Sequence, residues 1–414
     1  MAGVVGAAAV AILLVPADES VMRQRGRPSP VASAPVLRLY SSLPKTGIDS
    51  KPGLRDIELA VRLAVEEAGP RVGAHQVVYR SLDSGSEDHG IPWEVGKVQG
   101  NARAAAGDDR AVAYVGDVFS GATAISMPVL DGAGIPQVTP TSTYAGLTRS
   151  EGAEDGEPAS YRSGAAANLV RVIPGDHLQA AAQLRWLRSL GVRRLALVSD
   201  GEFYGRGIVE MLAARAGRRG PAVVAQGRYD VKRLASIRDL VARIAARKPD
   251  AVVFTGAWQS RGAALLGRLN RALPRAWLMG TEGVGDERFL RGLRPGLRRR
   301  VLITMPELPV AGLTGEGRAF ARSFERRYAH EPDPLAVFGY EAARLTLRAI
   351  AQAPAGPVTR VRRAVSAALF ATRNRQSVLG RYSIDLNGDT TLGRYGAYRV
   401  SAQGERRFVR VLGD

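Results

Sequence analysis

From Val36 onward, short apolar runs alternate with longer stretches in which apolar residues return every three or four positions. Val36-Leu37-Arg38-Leu39-Tyr40 predicts a strand, and a loop rich in Gly, Pro and Ser follows over 41–53. Leu54, Ile57, Val61, Ala64, Val65 and Ala68 then recur at helical spacing until Gly69-Pro70 stops the helix. Val77-Val78-Tyr79 predicts a second strand, 95–106 a helix, and Ala111 to Val115 a fully apolar strand ending at Gly116. A helix from about Thr123 to Gly132, a strand over 135–139 and, after a polar insertion at 151–163, a strand over 169–172 close this run. The next run has the same rhythm. Helices over 176–190, 205–216, 234–246 and 261–272 alternate with strands over 194–198, 223–225, 251–254 and 276–279. A strand over 301–304 follows the cluster Arg298-Arg299-Arg300.

Strands that are apolar throughout, separated by amphipathic helices, belong in parallel sheets covered on both faces. There are too many for one comfortable domain, and the two runs are similar. The expected fold class is therefore α/β, with two doubly wound parallel-sheet lobes. In such sheets a ligand sits beyond the carboxyl ends of the strands. The loops after Val115, Thr139, Val198, Phe254 and Met279 are where binding or chemistry belongs.

After Val115 the chain reads Gly116-Asp117-Val118-Phe119-Ser120-Gly121 and enters a helix. Ser120 could cap that helix with its hydroxyl, or offer it, with the free amides and positive helix end, to a carboxylate; the local sequence leaves both open. Thr139-Pro140-Thr141-Ser142-Thr143 puts a hydroxyl cluster beside the same mouth, although an ordinary polar turn has the same composition. In the second run, Asp200 to Gly205 brings Tyr204, Gly256-Ala257-Trp258 brings an indole, and Gly280-Thr281-Glu282-Gly283 sets an acid between glycines. Hydroxyls and amides facing an acid and two rings suit a zwitterion: Glu282 for its ammonium, the opposite rim for its carboxylate.

These segments, with Gly134 to Thr143, Leu278 to Asp286 and Gly339-Tyr340-Glu341-Ala342-Ala343, resemble the type 1 periplasmic binding proteins. The likeness is to the branched-chain amino-acid (leucine/isoleucine/valine) binding family of ABC importers. That resemblance implies two lobes joined by a three-strand hinge, with crossings near Arg171, Leu302 and Thr391. It implies a leader and linker at 1–35, a first lobe of 36–171 plus 305–390 and a second of 172–304 plus 391–414. It also implies ligand-binding roles for Ser120, Thr141 (through its backbone) and Thr143 on the carboxylate, for Glu282 on the ammonium, and for Tyr204 and Trp258 from the second lobe. Two departures bear on side-chain preference: the loop 44–53 lacks an aromatic, and Trp258 stands where Tyr is usual. The expected function is the extracytoplasmic ligand-binding component of an importer, a monomer that hands an amino acid to a membrane permease.

Composition narrows the alternatives. The 414 residues contain no Cys, which removes disulfides, thiolate nucleophiles and a lipid anchor on Cys. The formal charge of +19 is almost all Arg, with only Lys45, Lys51, Lys97, Lys232 and Lys248 as lysines. Its clusters lack interleaved aromatics for stacking bases, so no nucleic-acid partner is expected. His75, His89, His177 and His330 have no metal spacing, and no metal or cofactor is expected. Asp385-Leu386-Asn387-Gly388-Asp389 opens like a calcium loop, but Gly396 stands at the twelfth position where a bidentate Glu is required, so a turn is expected. Ser120 is not in a Gly-x-Ser-x-Gly elbow, and no enzymatic activity is expected. Ala2 to Val15 has the length of a secretory h-region, without a preceding Lys or Arg, and points to export. A ligand-sensing regulator of the same fold would need a DNA-binding segment, and no helix-turn-helix pattern precedes Val36. A binding protein for an amide, urea or aromatic acid is the nearest alternative.

Overall fold

The computed structural model describes residues 36–48, 53–88, 91–164, 167–257 and 260–413. The leader at 1–35 and the side chain of Trp258 lie outside these residues. Strands β1 (Leu37–Leu43), β2 (Arg71–Val72), β3 (His75–Asp83), β4 (Ala111–Gly116), β5 (Gln137–Thr139) and β6 (Leu169–Arg171) form one sheet in the order β2-β3-β1-β4-β5-β6. All its pairings are parallel except the hairpin of β2 on β3. Helix α1 (Leu54–Ala68) covers one face. Helices α2 (Val95–Ala106) and α3 (Ser120–Gly132) cover the other. An all-apolar strand such as β4 is buried on both sides, and this two-sided cover is why it needs no alternation.

The second sheet uses β7 (Arg194–Ser199), β8 (Ala222–Arg228), β9 (Ala251–Thr255), β10 (Trp277–Gly280) and β11 (Val301–Met305), all parallel. Its helices are α4 (Asp176–Ser189) and α5 (Phe203–Arg219) on one face, with α6 (Leu234–Ala246), α7 (Gly262–Ala272), α8 (Glu287–Gly292) and α9 (Pro295–Arg298) on the other. Every strand and helix expected from the hydrophobic pattern up to Thr304 forms.

Beyond Met305 the pattern had named no elements. The chain builds α10 (Gly315–Tyr328), α11 (Ala336–Gln352) and α12 (Val358–Phe370). These helices join α1 in the core of the first lobe. It then adds β12 (Tyr395–Val400) and β13 (Arg406–Leu412) antiparallel to the second sheet, completing the order β13-β12-β11-β10-β9-β7-β8. The backbone thus passes between the lobes after β6, after β11 and before β12.

One further tie joins the lobes near the first passage, and a turn braces the first lobe beside it. In the segment 144–161, Tyr144 packs on Gly207 and Gly152 on Met211, both on α5, while Glu151 pairs with Arg215 at 2.8 Å and Glu154 with Arg206 at 3.1 Å. The turn 385–389 seats on β6, with the Arg171 amide donating to the Gly388 carbonyl at 2.9 Å. Gly388 has φ +92°, and a Cβ there would fall 2.0 Å from the Leu169 carbonyl oxygen. Gly388→Ala is therefore expected to cost about 2–3 kcal/mol, the scale of a strained backbone position. Urea denaturation reads this directly, and a cost below about 0.5 kcal/mol, that of an ordinary surface change, would contradict it.

Candidate functional site

The topology sets the mouths of both sheets toward each other. In the first sheet the strand order turns at β1 and β4, in the second at β7 and β9, the positions where open α/β sheets leave a crevice. Helix α3 starts three residues earlier than its apolar pattern suggests, at Ser120, with Phe119 as the extended cap residue and no side-chain cap bond. The capping alternative for Ser120 is thereby removed. Its Oγ accepts instead from the Tyr144 amide at 3.2 Å, which leaves its proton to donate elsewhere. Thr141 spends its hydroxyl on the Val118 carbonyl, 2.8 Å away, and so fixes the loop 139–143 against the α3 entrance. Thr139 and Ser142 do the same through the Asp117 carbonyl, at 2.6 and 3.0 Å. Thr143 is buried beside the amino end of α4, where its carbonyl accepts from the Asp176 amide at 3.0 Å.

Helix α4 links this rim to the acid of the second lobe. Gln179, in its first turn, donates to Glu282 Oε2 at 2.8 Å and to the Thr304 carbonyl at 3.1 Å. Tyr204 donates its hydroxyl to Glu282 Oε1 at 2.5 Å. Burial first, and the Glu282 charge second, hold the Tyr204 hydroxyl well above its ordinary pKa, so it remains a donor. Ser120, Thr141, Thr143, Tyr204 and Glu282 are thus gathered around the amino end of α4, from four different loops or helix starts. Glu282 also opens onto a cavity of about 270 Å³, whose wall includes Asp286, Met305, Glu307, Asp333 and Leu335.

Beneath the rim lies a buried ion cluster. Arg171 donates Nε to Asp389 at 2.7 Å, Nη1 to the Ser142 and Tyr144 carbonyls at 3.1 and 3.0 Å, and Nη2 to the Thr148 hydroxyl. Arg149 pairs with Asp385 and Asp389. Burial alone would raise the Asp389 carboxyl, but Arg171 and Arg149 outweigh it and hold the group below its usual range. The turn expected at 385–389 is present, and its carboxylates serve these arginines; among the described residues no group of acids and histidines has metal-site geometry.

The sequence reading missed Asp176, Gln179 and Arg171. A lone Arg in the apolar run Leu169-Val170-Arg171-Val172 was the available signal for a buried ion pair. Trp93 was missed too. Its ring edge would lie 3.2 Å from a Cβ on Gly121, so an aromatic from the loop before α2 packs on the first turn of α3.

Two parallel-rich lobes with a polar crevice between their strand ends have the type 1 periplasmic binding protein fold. The family model for periplasmic binding proteins matches residues 42–405, and the chain belongs to that family. Among solved structures, a leucine binding protein, LivK, from Thermotoga maritima is 23% identical, with a TM-score of 0.72 over 91% of this chain and 99% of that one. A branched-chain amino acid transporter substrate binding protein, LivJ, from Streptococcus pneumoniae in complex with isoleucine is 16% identical, with a TM-score of 0.70 over 92% and 99%. A solute binding protein from R. palustris in complex with benzoate is 18% identical, with a TM-score of 0.69 over 92% and 97%. An amino acid binding protein of Pseudomonas aeruginosa is 24% identical over 302 residues, 72% of this chain and 74% of the relative.

Proposed function

We propose that this protein is the extracytoplasmic solute-binding component of an ABC importer and that it binds an α-amino acid between its lobes. One observation carries the reading. The first turn of α4 meets the Thr143 carbonyl through the Asp176 amide and Glu282 through Gln179, so the hydroxyl-rich loop 139–143 and a carboxylate lie at the same helix end. Ser120 and Thr143 would take the ligand carboxylate with the amides of α3, Glu282 and Tyr204 would take its ammonium, and Trp93 and Trp258 would flank its side chain. Because only the closed arrangement makes both sets of contacts, ligand would shift an open–closed equilibrium toward the form a permease reads.

Benzoate, the ligand of one structural relative, is the competing chemistry. It carries no cation, and it would leave Glu282 without an opposite charge. A thermal-shift series separates the two readings. L-Leucine, L-isoleucine or another α-amino acid at a hundredfold excess over its Kd should add about 2.7 kcal/mol of stability, a rise of several degrees in Tm. Benzoate and simple amides should leave Tm unchanged. A shift with benzoate or an amide and none with any amino acid would overturn the proposal.

A further inference from the structure

Asp176 is the first residue of α4 and is wholly buried, with the Thr143 side chain as the one hydrogen-bonding neighbour of its carboxyl among the described residues. It sits between the two halves of the site, with its amide on the Thr143 carbonyl and its helix carrying Gln179 to Glu282. A carboxylate with a single hydroxyl neighbour and a second carboxylate close by is costly to bury, so the neutral acid is the form this environment favours.

Charged and titratable groups face it from every neighbouring element. Arg171 comes from β6, Glu282 from the loop after β10, Tyr204 from α5 and Tyr395 from β12. Tyr395 spends its hydroxyl on the Pro174 and Gly175 carbonyls, at 2.9 and 3.0 Å, and Glu307 lies beyond it. His177, next on α4, is held neutral at pH 7, its pKa lowered by burial to about 4. Among the described residues, the cation that acts on Asp176 is Arg171, and that guanidinium is committed to Asp389, two carbonyls and Thr148. Burial first, and the Glu282 charge second, push Asp176 up to about 8. Of the two adjoining carboxyls, Asp176 is the one its surroundings keep protonated.

We infer that Asp176 is the proton-holding member of the ligand site and that it gives up its proton when an ammonium group docks on Glu282. The O–H bond of Asp176 breaks, the proton passes to buffer, and the ammonium supplies the positive charge that stabilises the second carboxylate. This rests on the amino-acid reading given above and extends it. The site would select ammonium-bearing ligands by exchange of one cation for another, and binding would tighten as pH rises toward 8.

Calorimetry with L-leucine at neutral pH, in phosphate and in Tris, tests the exchange. The two buffers differ widely in ionisation enthalpy, so release of about one proton makes the observed heats differ by a comparable fraction of that gap. Affinity should rise by up to about tenfold per pH unit on the acid side of the value of about 8. In Asp176→Asn, leucine should still bind, with equal heats in both buffers and a flat pH profile. Equal heats and a flat profile in the unaltered protein would overturn the exchange and leave the amino-acid reading standing. No heat with leucine or any other amino acid would remove both. A ligand-free control needs no binding. A carboxyl whose folded pKa is raised binds its proton more tightly in the folded state, so stability relative to Asp176→Asn should fall as pH climbs from 3.8 to about 8. Parallel stability profiles would count against the proton-holding role.

Discussion

Replacing Arg171 with Met should lower the stability of the protein by about 3–5 kcal/mol, the cost of breaking a buried, fully paired charge cluster. The guanidinium serves one carboxylate, two backbone carbonyls and a hydroxyl. Its removal leaves Asp389 with Arg149 alone and deprives the Ser142 and Tyr144 carbonyls of a donor. Urea denaturation should show a large drop in midpoint with little change in slope. The double variant Arg171→Met/Asp389→Asn should recover part of the loss, because the stranded charge is then gone. A single-variant cost under about 1 kcal/mol would place the weight of this region on packing instead. Since those carbonyls belong to the loop carrying Thr141 and Thr143, a weakened ligand affinity should accompany the lost stability.

Removing the carboxylate of Glu282 should have the opposite profile. Glu282→Ala is expected to weaken L-leucine binding by about 2–5 kcal/mol, as when one partner of a desolvated ion pair is truncated. The ligand-free protein should be affected far less, because the Glu282 charge also raises the cost of ionising Asp176. Calorimetry on the variant, with urea melts run beside it, separates the two effects. Unchanged affinity would take Glu282 out of the site, whereas a stability loss as large as that of Arg171→Met would make it a structural residue.

Much of the fold was legible because the strands are apolar on both faces and the helices keep their period. Those two signals survive without knowledge of any contact. The loops at the strand ends were legible for the same reason: once β4, β5 and β10 are placed, Ser120, Thr143 and Glu282 must sit at the carboxyl edge. Asp176 was not legible as a site residue. At the head of a helix an Asp reads as an ordinary first-turn acid, and its nearness to Glu282, more than a hundred positions away, exists only once α4 has packed on the assembled second sheet. The role of Ser120 was open for a related reason, since its competitor for the hydroxyl was the amide of Tyr144, supplied by another loop. Helices α10 and α12 are amphipathic, α11 is buried along most of its length, and strands β12 and β13 show no alternation of buried and exposed positions. They went unread because the apolar segments of that region are broken by Arg-rich and Gly-rich stretches.

The segment 144–161 leaves the first lobe yet rests its weight on α5 of the second, through Tyr144, Gly152 and two ion pairs. In the lobe closure proposed above it would serve as a fulcrum. Relative rotation of the lobes must either slide that bearing or turn about it. In the second case, probes placed on Asp333 and Asp286, across the cavity beside Glu282, would trace a long arc, while probes on Glu151 and Arg215 would hardly change their separation.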